Sequence, residues 1–150
     1  MFVCYGNICR SPSGEIILRD MVAKKGCEEE FVISSAATSA EEIRNGVGNP
    51  MYRPMVRELE SHGYTVGDKR AVQLQLSDYD KYDLFIGMDG ENIKNMKRIL
   101  GGDPEGKVCR MMDFTDRGGD VADPWYTRDF GAAYRDIRDG CEGLLRKLGK

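Results

Sequence analysis

The sequence predicts a single α/β domain built on a parallel β-sheet. The chain of 150 residues has the length of one domain. Short apolar runs alternate along it with longer amphipathic stretches, and no repeat, low-complexity segment or linker divides residues 1–150. Strands that alternate with helices in this way form parallel sheets joined by right-handed crossovers.

Four short apolar runs are predicted to be the strands of this sheet. Each is bounded by polar or glycine-containing segments, as buried strands usually are. Parallel sheets carry helices on their faces, so we expect three layers with helices on both sides of the sheet. The strands are predicted at residues 2–4, 31–33, 84–88 and 108–112.

Four longer stretches are predicted to be helices, and their ends carry recognisable signals. Gly26 and Gly63 follow the first two helices as stops, and Gly101 ends the third. Asp89 is placed to cap the start of the third helix. The helices are predicted at residues 11–25, 54–62, 90–100 and 130–148, and residues 39–50 and 113–127 are predicted to be loops.

Composition and charge exclude several classes of function. The chain has 22 Lys and Arg residues against 25 Asp and Glu residues, and this balance argues against non-specific nucleic-acid binding. No apolar run approaches the roughly 18 residues of a membrane span, and Cys4, Asn7 and Arg10 interrupt any signal-peptide pattern at the start. We therefore expect no nucleic-acid or membrane partner, and any anion site must be local.

The cysteines indicate where the protein resides. There are five, at positions 4, 9, 27, 109 and 141, and an odd number with irregular spacing is a poor disulfide framework. No Cys-x-x-Cys pair is present and His62 is the only histidine, so a structural zinc site is not expected. Free thiols are typical of a reducing compartment. We expect a cytoplasmic protein with no metal and no cofactor.

Residues 4–11 carry the strongest functional signal. In parallel sheets ligands bind beyond the carboxyl ends of the strands, and the first predicted strand ends at Cys4. Gly6 and Asn7 tolerate positive φ, which lets consecutive N–H groups turn inward around an anion. Arg10 can hold two phosphate oxygens as a planar fork. We expect a phosphate-binding loop in which Cys4 is a thiolate nucleophile.

The spacing of Cys4 and Arg10 alone is a weak signal, because a small buried Cys and a surface Arg on a strand–helix turn would give the same pattern. Three neighbouring features favour the phosphate loop. A predicted strand precedes it, the Gly-Asn turn lies inside it, and Ser11 with Pro12 opens a helix after it.

The segment from Val3 to Pro12 resembles the signature of low-molecular-weight protein tyrosine phosphatases, whose loop reads Cys-Leu-Gly-Asn-Ile-Cys-Arg-Ser-Pro. Only Tyr5 departs from it. The sequence Asp-Pro-Trp-Tyr at 123–126 is similar to the acid loop of that family. The spacing and order of elements match over nearly the whole chain. The resemblance implies a flavodoxin-like fold with a four-stranded parallel sheet, and metal-independent hydrolysis of phosphotyrosine in proteins.

This resemblance also implies roles for the loop residues. Cys4 would attack the phosphate and form a phosphocysteine intermediate, and Arg10 would stabilise the equatorial oxygens together with the loop amides. Ser11 would donate a hydrogen bond to the Cys4 sulfur, and Asn7 would lock the loop through its side chain. The phosphate-binding loop would comprise Tyr5, Gly6, Asn7, Ile8, Cys9 and Ser11 around the catalytic pair.

Outside the loop, the resemblance implies that Asp123 is the general acid and later the base that activates water. Trp125 and Tyr126 would form a wall of the slot for the phenol ring. Cys9 would form a reversible disulfide with Cys4 and protect it from overoxidation. A second Asp-Pro pair begins at Asp103, which we interpret as a turn residue because it follows a Gly-Gly helix stop.

Three features depart from the family pattern. Relatives usually carry several residues before the first strand, so either that strand is short or the chain starts upstream. Relatives often have an aromatic residue near the positions of Glu41 and Glu42, where it forms one wall of the substrate slot. Residues 40–43 contain none here, which leaves the substrate preference open. They also often read Ala-Arg-Gln where this chain has Ala-Val-Gln at 71–73. The sequence does not indicate an oligomeric state.

Rival functions within the same fold are disfavoured by single residues. A thioredoxin-coupled arsenate reductase needs two further cysteines close together, whereas Cys27, Cys109 and Cys141 are far apart in sequence. A protein-arginine phosphatase would carry Thr in place of Ile8 and a smaller residue in place of Tyr126.

A rival of another class, a non-catalytic phosphate- or flavin-binding module, would not need the combination of Cys4, Arg10 and Asp123. Phosphotyrosine-containing proteins are therefore the expected substrates and partners.

Overall fold

The computed structural model describes residues 1–150, and it contains six strands and five α-helices. The strands are β1 (Phe2–Cys4), β2 (Ser35–Ala37), β3 (Ile43–Arg44), β4 (Val47–Gly48), β5 (Phe85–Gly87) and β6 (Val108–Arg110). The helices are α1 (Arg10–Lys24), α2 (Arg53–Ser61), α3 (Gly90–Ile99), α4 (Pro124–Thr127) and α5 (Phe130–Lys147).

Four parallel strands form the central sheet, in the order β2-β1-β5-β6. The predicted four-stranded parallel sheet is therefore confirmed. Strand β1 lies between β2 and β5, where Cys4 is paired with Ala37 and Val3 with Gly87. Because all four strands run in the same direction, the residues that follow them meet at one edge of the sheet.

Helices cover both faces of this sheet, as the sequence predicted. On one face α1, α2 and α5 enclose a cluster of 19 buried residues that includes Phe2, Ile17 and Leu59. On the other face α3 and a 3₁₀-helix at Leu76–Lys81 enclose a smaller cluster around Val3 and Phe85. None of the helices combines the length and apolar character that a bilayer span needs.

The predicted strand at residues 31–33 is wrong. Those residues belong to no strand, and Val32 is 79% exposed. Strand β2 instead uses the next residues, Ser35 to Ala37, all of which are buried. Small side chains are needed there because the loop after β1 packs directly against this strand, with Asn7 Nδ2 donating to Ser35 Oγ at 3.0 Å.

Two segments predicted as loops contain regular structure. Within residues 39–50, β3 and β4 form an antiparallel hairpin. Asn45 and Gly46 both adopt positive φ at its turn, which is the requirement of a type I′ hairpin. Within residues 113–127, Asp123 caps the one-turn helix α4.

Strand β6, which was predicted at residues 108–112, is shorter than predicted, because it ends at Arg110 and a 3₁₀-turn follows at Met111–Phe114.

Candidate active site

The loop between β1 and α1 surrounds the sulfur of Cys4. The backbone N–H groups of Asn7 and Ser11 point to Cys4 Sγ at 3.3 and 3.4 Å. Ser11 Oγ lies 3.0 Å from the same sulfur. These donors stabilise negative charge on sulfur more than a neutral thiol, because hydrogen bonds to an ionised group are the stronger ones. The arrangement therefore favours a thiolate.

Asn7 holds this loop from behind. Its backbone is left-handed, with φ 59°, as the Gly-Asn turn predicted. Its side chain donates to Ser11 Oγ at 2.7 Å and to Ser35 Oγ at 3.0 Å, and accepts from the N–H of Val72 at 3.0 Å. Since Asn7 supplies one hydrogen to Ser11 Oγ, the hydroxyl hydrogen of Ser11 can point at the sulfur of Cys4, 3.0 Å away, or at the more distant carbonyl of Ala36, 3.5 Å away.

The polar network continues behind β2, where sequence reasoning did not place any site residue. Ser35 Oγ donates to Glu15 Oε1 at 2.7 Å, and Lys69 Nζ donates to the carbonyl of Ser35 at 3.2 Å. Burial lowers the pKa of Lys69. No local motif marks Glu15 and Lys69, since they meet Ser35 only through the tertiary fold.

Arg10 is buried, and its guanidinium is held at the floor of the site. Nη1 donates to Asp89 Oδ2 at 2.7 Å and to the carbonyl of Val121 at 2.8 Å. Nη2 lies 3.5 Å from Asp123 Oδ2. Burial alone would lower the pKa of Arg10, but the negative groups of Cys4, Asp89 and Asp123 outweigh it and raise that pKa. Arg10 is therefore a fixed cation near the sulfur of Cys4.

Asp89 is a site residue that the sequence analysis identified only as a helix cap. It does cap α3, with Oδ1 accepting from the N–H of Asn92 at 2.8 Å, while Oδ2 holds Arg10. A topological signal could have identified it. Asp89 follows β5, which pairs with β1, so both strands end at the same edge of the sheet.

The structure separates the two Asp-Pro pairs. Asp123 lies beside Arg10, and its Oδ1 accepts from the N–H of Trp125 at 3.0 Å. Asp103 lies before β6, at the opposite edge of the sheet, where it accepts from Tyr79 Oη at 2.6 Å and from the N–H of Lys107 at 2.7 Å. Asp103 is therefore a turn residue, as interpreted from the sequence.

A cavity of about 170 Å³ opens above Cys4 and Arg10. Trp125 and Tyr126 line it, while Asn7 and Ser11 lie behind the loop and do not. The lining residues are Cys4, Tyr5, Gly6, Ile8, Cys9, Arg10, Glu41, Glu42, Tyr52, Asp123, Trp125 and Tyr126.

Tyr52 is an aromatic wall residue that the sequence analysis missed. Its ring centroid lies 5.0 Å from that of Trp125. The backbone N–H of Tyr52 donates to the carbonyl of Ile8 at 2.7 Å, which fixes the start of α2 against the loop. Tyr52 and Tyr5 thus supply aromatic surface to a cavity in which Glu41 and Glu42 occupy another part of the wall.

All five cysteines are unpaired, and two of them line the cavity. Burial raises the pKa of Cys9, and the nearby negative groups of Cys4 and Asp123 raise it further. Cys9 is therefore a neutral thiol, and it lines the same cavity as the Cys4 sulfur that accepts the loop N–H groups. The single histidine, His62, stacks on Tyr134 at 3.8 Å and has a packing role.

Comparison with known proteins adds the family context. The family model described as "Low molecular weight phosphotyrosine protein phosphatase" matches residues 1–150. The chain is 36% identical to the low molecular weight protein-tyrosine-phosphatase YfkJ of Bacillus subtilis, over 100% of this chain and 95% of that protein.

It is 34% identical to the low molecular weight phosphotyrosine protein phosphatase of Saccharomyces cerevisiae, over 97% of this chain and 92% of that protein. The crystal structure of YfkJ superposes with a TM-score of 0.91, covering 99% of this chain and 92% of that chain.

Proposed function

The chain belongs to the low-molecular-weight phosphotyrosine protein phosphatase family, whose members hydrolyse phosphotyrosine through a cysteine nucleophile without metal, and we propose that Cys4, Arg10 and Asp123 carry out that reaction here. The observation that supports this assignment best is the convergence of the three side chains in one cavity. Arg10 lies between two carboxylates, and the sulfur of Cys4 accepts backbone N–H groups beside it.

In the first half-reaction, the thiolate of Cys4 attacks phosphorus and the bond from phosphorus to the phenolic oxygen breaks. Arg10 and the loop N–H groups hold the equatorial oxygens, whose charge is stabilised by donors that are already in position. Asp123 gives its proton to the departing oxygen, so that tyrosine leaves as a neutral phenol. The products are free tyrosine side chain and phosphocysteine.

In the second half-reaction, the carboxylate of Asp123 takes a proton from water, and the water oxygen attacks phosphorus. The bond from phosphorus to sulfur breaks, which releases inorganic phosphate and regenerates the thiolate of Cys4. The N–H groups of Asn7 and Ser11 and the hydroxyl of Ser11 stabilise the departing sulfur. Ser11 therefore serves a leaving-group role in this step.

The walls of the cavity fit a phenol ring. Trp125, Tyr126, Tyr52 and Tyr5 present aromatic surface above the phosphate site, and aromatic rings pack favourably against one another. Cys9 would serve as the redox partner of Cys4, since both line the same cavity. We place the protein in the cytoplasm, where a reducing environment keeps five unpaired thiols intact.

The assignment of the nucleophile is tested with two cysteine variants. Cys4→Ser should abolish turnover of a phosphotyrosine peptide, because a Ser hydroxyl is scarcely ionised at neutral pH. Cys27→Ser, a change outside the cavity, should retain wild-type activity. Rapid acid quenching during turnover should trap phosphate on Cys4 in the wild type. Retention of more than a few per cent of activity in Cys4→Ser would contradict the assignment.

A further inference from the structure

Two carboxylates in the cavity wall have no role in the reaction described above. Glu41 and Glu42 lie just before the β3–β4 hairpin and both line the cavity. Glu41 Oε1 accepts from Tyr5 Oη at 2.8 Å, and Glu42 Oε2 accepts from Asn49 Nδ2 at 2.9 Å. Both carboxylates are therefore held in place at the rim of the cavity.

The contact of Glu42 with the phosphate loop reinforces this placement. A Cβ atom on Gly6 would lie 3.3 Å from Glu42 Cγ, so the stem of Glu42 rests directly on the loop. The hydrogen bond from Tyr5 to Glu41 raises the pKa of Tyr5, which keeps its hydroxyl protonated as the donor. The two glutamates are thus connected to the loop that binds phosphate.

Positive and negative side chains lie at different depths in the cavity. Arg10 is the only basic residue in the lining, and it is buried at the floor beside Asp123. The hydrogen-bond partners of Glu41 and Glu42 are neutral, so their charge is not cancelled by a neighbouring cation. The exposed Arg44 and Arg53 lie outside the lining, as does Arg128, which donates to Tyr52 Oη at 2.9 Å on the aromatic wall. The floor of the cavity therefore attracts anions, and the part of the rim formed by Glu41 and Glu42 attracts cations.

We propose that Glu41 and Glu42 make this phosphatase prefer phosphotyrosines that are flanked by Lys or Arg. The inference rests on the proposed function, because it takes phosphotyrosine as the group bound at Cys4 and Arg10. When the phosphate reaches the floor, the peptide backbone of the substrate lies at the rim. Side chains next to the phosphotyrosine then meet the two carboxylates.

The expected size of the preference follows from the exposure of the rim. Charge pairs in contact with solvent are individually weak, so two of them should change kcat/KM by about three- to tenfold between basic and acidic flanks. Such a preference is screened by salt, because the Debye length falls to about 3 Å at 1 M ionic strength. High salt should therefore reduce the preference.

The experiment compares three synthetic phosphotyrosine peptides that differ only in their flanking residues, which are Lys, Gln or Glu. Their kcat/KM values are measured for the wild type and for E41Q, E42Q and the double variant E41Q/E42Q. Gln keeps an oxygen that can accept from Tyr5 and Asn49, so the substitutions remove charge while preserving those contacts.

The matched control is E142Q. Glu142 lies on α5 and shares a surface with Lys24 and Lys25 at the far end of α1. That end is about 20 Å along the helix from the phosphate loop. The control carries the same change of net charge as each single variant, and it should keep the wild-type ratio of the three peptides.

We expect the wild type to hydrolyse the Lys-flanked peptide best and the double variant to lose most of that preference. Equal rates on the three peptides, a preference for Glu flanks, or a Lys preference that persists in the double variant would overturn the inference. The Gln-flanked peptide separates it from the proposed function. If the wild type does not hydrolyse that peptide, the function itself fails, whereas hydrolysis without discrimination refutes only the role of the rim.

Discussion

Arg10 and Asp89 form the closest charged contact of the site, with Nη1 and Oδ2 2.7 Å apart. The guanidinium is 3% exposed and the carboxylate 21% exposed. The two residues are brought together because β1 and β5 are neighbours in the sheet and end at the same edge. Asp89 therefore fixes one side of the Arg10 fork and leaves the other side directed toward the cavity.

Removing the charge of Asp89 should slow catalysis. Asn caps a helix as well as Asp does, so Asp89→Asn preserves the start of α3 while it weakens the anchor of Arg10. Small displacements of a positioning group cost up to about a hundredfold in rate, and we expect kcat on phosphotyrosine to fall at least about tenfold.

The control for Asp89 is Asp120→Asn. Asp120 contacts the same helix start through the N–H of Gly90 at 3.1 Å but is half exposed and does not touch Arg10. This variant should keep kcat near the wild-type value. Equal losses in Asp89→Asn and Asp120→Asn would show that only the helix start matters.

The three hydrogen bonds of the Asn7 side chain should stabilise the folded protein measurably. Asn7→Gly keeps the left-handed backbone but removes three hydrogen bonds, so the free energy of unfolding should fall by about 2–4 kcal/mol. Asn7→Ala should lose about 1–2 kcal/mol more, because Ala is strained at positive φ. Urea denaturation of both variants measures this, and wild-type stability in Asn7→Gly would refute this stabilisation.

Peroxide should inactivate the enzyme reversibly through a Cys4–Cys9 disulfide. The thiolate of Cys4 is the more readily oxidised of the two, and peroxide converts it to a sulfenic acid. On losing its proton, Cys9 in the same cavity attacks that sulfur, so that the S–S bond forms as the S–O bond breaks and water leaves. Mass spectrometry of tryptic peptides after mild oxidation should show the link. Thiol should restore activity fully to the wild type and only partly to Cys9→Ser. Equal recovery of the two would exclude protection by Cys9.

The ionised carboxylate of Asp103 should stabilise the folded protein at neutral pH, and this contribution should be lost in acid. Burial alone would raise its pKa, but hydrogen bonds from Tyr79 and from the N–H groups of Val108 and Lys107 lower it. The contribution is therefore present above the unfolded-state pKa of about 3.9 and is lost as pH falls through the lower folded-state pKa.

This contribution is tested by urea unfolding at several pH values. Asp103→Asn should be less stable than wild type at pH 7 and should lose less stability on acidification. Asp80→Asn removes an exposed carboxylate on the neighbouring 3₁₀-helix and should keep the wild-type pH dependence. Identical curves for the wild type and Asp103→Asn would contradict the predicted contribution.

Local signals predicted most of the fold. Helix ends are predictable because the residue after a helix often adopts positive φ, which glycine does without strain. Gly26 and Gly63 both adopt positive φ after their helices. The second strand was misplaced because hydrophobicity favoured residues 31–33. Strand β2 instead consists of small buried residues, which are not strongly hydrophobic. Small side chains are required there because the phosphate loop packs against this strand, and that contact is not visible in the local sequence.

The site was predictable where its residues adjoin in sequence. The loop that starts at Cys4 and the segment that starts at Asp123 both carry readable motifs. Asp89 and Tyr52 each have an ordinary local role at a helix start, and only the tertiary fold brings Asp89 to Arg10 and Tyr52 to the cavity wall. Sequence patterns contain little information about such distant contacts.

Proton donation by Asp123 to the leaving oxygen is tested by how the rate depends on the leaving group. A tyrosine phenolate has a conjugate acid with a pKa of about 10 and needs the proton, whereas a nitrophenolate leaves more easily without it. General-acid catalysis contributes on the order of 10²–10⁴-fold. Asp123→Asn should therefore reduce kcat/KM far more for phosphotyrosine than for p-nitrophenyl phosphate.

The measurement is kcat/KM for both substrates in the wild type, Asp123→Asn and Asp103→Asn. In Asp123→Asn we expect kcat/KM to fall by about a hundredfold or more on phosphotyrosine and much less on p-nitrophenyl phosphate. In Asp103→Asn we expect neither loss. Equal losses on the two substrates in Asp123→Asn, or a selective loss on phosphotyrosine in Asp103→Asn, would contradict proton donation by Asp123.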